Sequence, residues 1–213
     1  MILAPLQSLL SELYALDVRY DVHDFLVTDS RIAAALDRDG RQLDEKLLIA
    51  EAAGEASVSL YLDAGLIDRL WKNNPACRLS SENLGDFWTA LEGVSHFLYY
   101  AWNAVIEKSV TLLEMELQAE VDKFIGAVLL LQQQGERIPA NLHNCLFDVP
   151  QFDARLDAQE LDRYRSANRY AGKYCMKLAP QLQSAANQQE LKEELCYFYR
   201  LPQPRKIRHI EAV

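Results

Sequence analysis

Glu92, His96, Tyr99 and Asn103 stand in a line on an otherwise largely apolar stretch of this 213-residue chain, FWTALEGVSHFLYYAWNAVIE, residues 87–107. At about 100° per residue the four fall within roughly 60° of one another on a helix. A carboxylate, an imidazole, a phenol and an amide in one row can pass a proton. His96 is the natural carrier, because its ordinary pKa lies closest to neutrality.

A second helical stretch follows directly. If the chain turns back near residues 109 and 110, Asn103 comes beside Glu116, Tyr99 beside Glu120 and His96 beside Lys123. Residues 116, 120 and 123 share one side of their own helix. The candidate catalytic set is therefore Glu92, His96, Tyr99 and Glu120, and a satisfied hydrogen-bond network is the alternative reading. A metal would suit the same donors. Di-iron bundles, however, use Glu-x-x-His from two helices, whereas Glu92 and His96 are four apart and no second copy exists. No metal or cofactor is expected. Asp21, His23, Asp24 and Asp29 also crowd together, in a spacing that fits no known ligand geometry and that suits turn capping instead.

The other constellation is RYRSANRYAGKYC, residues 163–175. Arg163, Arg165, Arg169 and Lys173 with interleaved tyrosines could hold phosphates or unstacked bases. The sequence pI of about 5.0 argues against a nucleic-acid footprint. Yet the net charge of −9 is unevenly spread: residues 1–154 hold 24 acidic and 11 basic side chains, and residues 155–213 hold 7 and 11. A solvated cationic face that pairs with the acidic part of the chain, or with a partner, is the competing account.

No Walker loop, G-x-G-x-x-G, G-x-S-x-G or H-E-x-x-H occurs, which removes the commonest nucleotide, hydrolase and zinc-protease signatures. Cys77, Cys145, Cys175 and Cys196 are widely spaced without a CxxC pair, and are expected as buried reduced thiols. The amino terminus carries acid rather than a basic leader, and no apolar run is long enough to span a bilayer. A cytoplasmic protein away from membranes is expected.

These residues need elements to position them. Leu3, Leu6, Leu9, Leu10 and Leu13 mark an amphipathic helix ending near Asp17, and shorter helices are expected at 30–36 and 64–72. LLIAEAAGEASVSLYLD, residues 47–63, reads as a small β-hairpin at about 47–62 turning at Ala53, Gly54 and Glu55, with Val58, Leu60 and Leu62 on one face. Its Ala-rich first half could equally continue a helix. The central antiparallel helix hairpin is expected at about 86–107 and 111–134, broken near 108–110, with Thr111 and Glu114 as a capping box. Its second member carries a seam of Leu113, Leu117, Val121, Phe124, Val128 and Leu131. Later helices are expected from Asp157 to Leu178, stopped by Pro180, and from about 188 to 199, followed by a basic tail.

The expectation is a mainly α helical bundle, read as one domain over 1–213 or as 1–75 and 82–213. With no catalytic motif, an interaction or regulatory protein with a protein partner or a second copy of itself comes first. A small helical enzyme and an anion or single-stranded nucleic-acid binder follow.

Overall fold

A computed structural model describes residues 2–37, 43–52, 55–150, 152–182 and 188–212. Helix α1 (Leu3–Tyr14) buries Leu3, Leu6, Leu10 and Tyr14, and stops three residues earlier than expected, where Ala15 adopts a left-handed conformation, φ 50°. The Asp/His cluster that follows resolves into caps. Asp21 accepts from the His23 amide at the head of a short 3₁₀ turn (Val22–Phe25), and Asp29 accepts from the Arg31 amide at the start of α2 (Ser30–Leu36). Asp63 opens α3 (Ala64–Lys72) in the same way.

The expected hairpin is present as β2 (Glu45–Ala52) and β3 (Glu55–Leu62), antiparallel, with Leu47 opposite Leu60 and Ile49 opposite Val58. Ala53 and Gly54 of the expected turn lie outside the described residues, and Glu55 belongs to the strand. Pairing overrides the helix preference of the Ala-rich half. A two-residue strand β1 (Leu26–Val27), which the sequence does not announce, lies parallel on the other edge of β3 and completes a sheet of order β1-β3-β2. Leu60 and Leu62 enter the main core, while Leu48 and Tyr61 pack with Ala33 of α2 on the opposite face. Both faces are thus covered, which a lone hairpin in water would lack.

Helices α4 (Leu84–Val105) and α5 (Leu112–Gln133) form the expected hairpin, and Thr111 accepts from the Glu114 amide at 3.1 Å. Helix α4 has no side-chain cap, and Asp86 in its first turn pairs with Arg69 at 2.9 Å. Of the expected seam, Leu117, Val121, Phe124, Val128 and Leu131 are buried and Leu113 is partly buried. The innermost rod is nevertheless α5, not α4. It packs between α4 and α7 (Ala158–Leu182) and buries Glu114, Glu116, Gln118, Asp122 and Lys123 along with its apolar residues, whereas Val105 at the end of α4 is 61% exposed. Register also differs. A Cβ on Gly126 would lie 2.6 Å from Leu91, and Ser95 donates to Asp122 at 2.5 Å, so these are the pairs in close contact across the hairpin.

Beyond α6 (Leu142–Phe147), Asp157 and Glu160 form a reciprocal capping box on α7. Pro180 does not end this helix but sits within its last turn. After α8 (Gln188–Arg200), the basic tail is itself a helix, α9 (Gln203–Glu211), opened by Pro202. Of the cysteines, which are all free, Cys175 is buried while Cys77 and Cys145 are exposed, against expectation. One apolar core runs from Ile2 to Ile210. Among the described residues no helix is long and apolar enough to cross a membrane.

Helix α9 delivers Lys206, fully buried, to the far side of α5 from the sheet. Its ammonium donates to Gln118 at 2.6 Å and lies 4.2 Å from the Phe198 ring centre and 5.2 Å from that of Tyr99. Burial drives its pKa down to about 7, and the nearby carboxylates Glu114 and Asp122 only partly oppose this. Between that value and the ordinary lysine pKa of about 10.4, the unfolded chain holds a proton that the folded chain has released. Stability should therefore rise with pH in this window, by up to about 1.4 kcal/mol per unit. Urea unfolding from pH 7.5 to 9.5 should show the rise in the wild-type protein and a flatter profile in Lys206→Met. A rise of equal slope in both would rule out this assignment.

Candidate functional site

A cavity of about 910 Å³ lies among β2, α4, α5 and α7, with α2, α6 and the segment after α6 adding to its lining. Strand β2 contributes Glu45, α4 contributes Glu92 and His96, α5 contributes Glu116, Glu120 and Lys123, and α7 contributes Arg163, Tyr164 and Asn168. The sheet can approach α4 this closely because residue 93 is glycine. A Cβ there would lie 2.9 Å from Glu45 Cγ and 2.9 Å from Leu60 Cδ1. Trp88 fastens α4 to α5 beside the cluster, its indole N–H donating to the Lys123 carbonyl at 3.1 Å.

His96 lies between two carboxylates, with Nδ1 3.4 Å from Glu45 Oε1 and Nε2 3.5 Å from Glu116 Oε2. Burial alone would lower its pKa. Charge from Glu116 and Glu45, with the Nδ1 contact to Glu45, outweighs burial and raises it well above the ordinary value. Lys123 bridges the other pair, 2.5 Å from Glu120 and 3.1 Å from Glu92. Its burial is likewise overcome by Glu120 and Glu92, and its pKa rises. Burial would raise Glu92, but Lys123 and His96 more than compensate and hold it below the usual range. Glu45 and Glu120 go the other way, pushed up chiefly by burial. Glu120 Oε2 and Arg163 Nε are buried without a hydrogen-bond partner among the described residues.

Of the catalytic candidates, Glu92, His96 and Glu120 are brought together, and Tyr99 is not. Tyr99 is wholly buried nearer the turn, donates to Glu114 at 2.5 Å and meets the Tyr199 ring edge-on at 4.9 Å. The expected neighbours shift accordingly: His96 meets Glu116 rather than Lys123, and Tyr99 meets Glu114 rather than Glu120. Of the basic set only Arg163 lines the cavity. Arg165, Arg169 and Lys173 recur every four residues on the exposed side of α7, where Lys173 pairs with Glu211 at 3.0 Å. Glu45 is the member that sequence reasoning missed, since nothing local marks a strand-end glutamate as the neighbour of a histidine far along the chain.

One ligand atom each from Glu45, Glu92 and His96 lies within 4.8 Å of the others, close enough to share a cation. The cluster can hold charge, exchange protons with a molecule in the cavity, or both. Comparison with known protein families, with curated proteins and with solved structures found no match for this chain.

Lys123 holds two buried carboxylates and is itself only 10% exposed at the side chain. Lys123→Met, which leaves those charges unpaired, should cost about 3–5 kcal/mol in denaturant unfolding at pH 7. Adding Glu92→Gln and Glu120→Gln should recover part of the loss. Additive losses in the triple variant would contradict this assignment.

Proposed function

We propose that the protein is a small helical enzyme that acts on a polar small molecule bound in the cavity between β2, α4, α5 and α7. The observation that carries this reading is the buried Glu120 carboxylate, with one oxygen unpartnered among the described residues, on the wall of a cavity of ordinary ligand size. Burial raises its pKa above the ordinary carboxylate value, and such a group at a cavity wall suits proton transfer. His96, fixed between Glu45 and Glu116 with its pKa raised by their charge against burial, favours a positive centre on the same wall. Arg163 offers a further buried donor for an anionic part of the substrate. Tyr99 has no part in this reaction.

The absence of a familiar motif in the sequence points towards a non-enzymatic protein. A walled cavity lined by buried ionisable groups supports the enzymatic reading instead, because such groups are costly to bury and pair imperfectly where chemistry needs them free. A cytoplasmic setting fits, since exposed Cys77 and Cys145 remain reduced there. The solvent-facing row of Arg165, Arg169 and Lys173 is assigned no ligand, and nucleic acid is not a proposed partner.

A second reading, association with a protein partner or a second copy, draws on Val105, Ile106 and Leu112 at the tip of the hairpin, each at least half exposed. Sedimentation should show the wild type heavier than a monomer and Ile106→Glu as a monomer, and a monomeric wild type would remove self-association.

The enzymatic reading is tested by incubating the protein with a collection of polar metabolites and following their consumption by mass spectrometry. At least one should be consumed, and Glu120→Gln should slow this at least 100-fold while melting within a few degrees of the wild type. Unchanged turnover in Glu120→Gln, or no consumption by the wild type, overturns the proposal.

A further inference from the structure

Three side chains from two stretches converge on one point of the cavity wall. Glu92 and His96 stand one turn apart on α4, and β2 brings Glu45 against them in the space that Gly93 leaves open. Lys123 takes Oε2 of Glu92, which leaves Oε1 for another partner. The 3.4 Å from His96 Nδ1 to Glu45 Oε1 equals the edge of a tetrahedron with bonds of about 2.1 Å, roughly 3.4 Å.

His96 turns Nδ1 to Glu45 Oε1 within this group and Nε2 to Glu116 outside it. Its side chain is 9% exposed, and Nε2 makes no hydrogen bond among the described residues. Glu116 Oε2 stands 3.5 Å from Nε2, just beyond hydrogen-bonding distance. Imidazoles that bind a metal through one nitrogen present the other to a carboxylate in this way, which fixes the tautomer and the ring plane. Charge points in the same direction. Lys123 is shared by Glu92 and Glu120, so Glu45 and Glu116 face each other with only the imidazole between them.

We propose that Glu45, Glu92 and His96 bind one first-row divalent cation, Mn²⁺ or Zn²⁺, with its remaining coordination positions turned into the cavity and Glu116 orienting His96. Two carboxylates and one imidazole form a donor set that both ions accept. The inference rests on reading the cavity as a reactive site. There the cation takes the place of the imidazolium proton as the positive centre and leaves Glu120 as the proton-transfer group. It departs from the sequence expectation of no metal, which considered α4 and α5 but not β2.

The full-length protein, purified in chelator and then dialysed free of it, is titrated calorimetrically with ZnCl₂ and with MnCl₂. One equivalent of at least one ion should bind. Glu45→Gln, which preserves shape, and His96→Ala should each weaken binding at least tenfold. Glu194→Gln, remote from the cavity beside Tyr174 and His209, should leave it unchanged and so exclude casual surface binding. Less than half an equivalent for both ions, or equal binding in Glu45→Gln, overturns the metal site. Should His96→Ala fail to fold, Glu45→Gln decides alone. Absence of binding while Glu120→Gln still abolishes metabolite turnover refutes the metal site and leaves the enzymatic reading standing. Stoichiometric binding without any turnover does the reverse.

Discussion

A helix at the centre of a protein cannot carry charged residues unless each finds a partner before it loses water, and α5 carries several. At about 100° per residue, Glu116, Glu120 and Lys123 lie on one side of it, and Glu114, Gln118 and Asp122 lie roughly opposite. Several groups packed against α5 answer one of these two stripes. Glu92 and His96, with Glu45 behind them, meet the first at the cavity wall, while Tyr14, Ser95, Tyr99 and Lys206 meet the second in a closed network.

The two sides solve the burial of charge differently. On the closed side Asp122 accepts from Tyr14, Ser95 and Gln118, and although burial lifts its pKa to about 6, its oxygens are satisfied. Tyr14, Ser95 and Gln118 donate to it among packed aromatic rings, and this fixes the shape there. On the cavity side the carboxylates gather in alternation with two cations, and Glu120 keeps an oxygen without a partner. Whether a buried ionic cluster is structural or reactive depends on such unmatched atoms and on whether space adjoins them.

Two glycines govern how near the elements come. Gly126 admits Leu91 between the hairpin helices, and Gly93 admits Glu45 and Leu60 against the outer side of α4. Neither position needs an unusual backbone, since both lie within helices, and what they lack is a Cβ. Their effect is to bring backbones close enough that polar side chains can meet across elements.

The sequence by itself determined the helical hairpin, because the apolar seam of α5 and the Thr111–Glu114 cap act within one stretch of chain. It also determined the β3 alternation and the line of polar residues that holds Glu92 and His96. Helix α9 escaped it, because nine residues so rich in Arg and His show no apolar stripe until Lys206 is seen as an inward-facing residue. Tertiary structure alone decided where that polar line divides. Its first half opens on the cavity, and its second half is sealed by Tyr199 and Lys206 from the far end of the chain. It alone placed Glu45 at His96 and separated Arg163 from the other arginines of α7. Periodicity specifies the side of a helix on which a group lies, whereas its solvation, pKa and partner depend on distant residues that the backbone brings near only on folding.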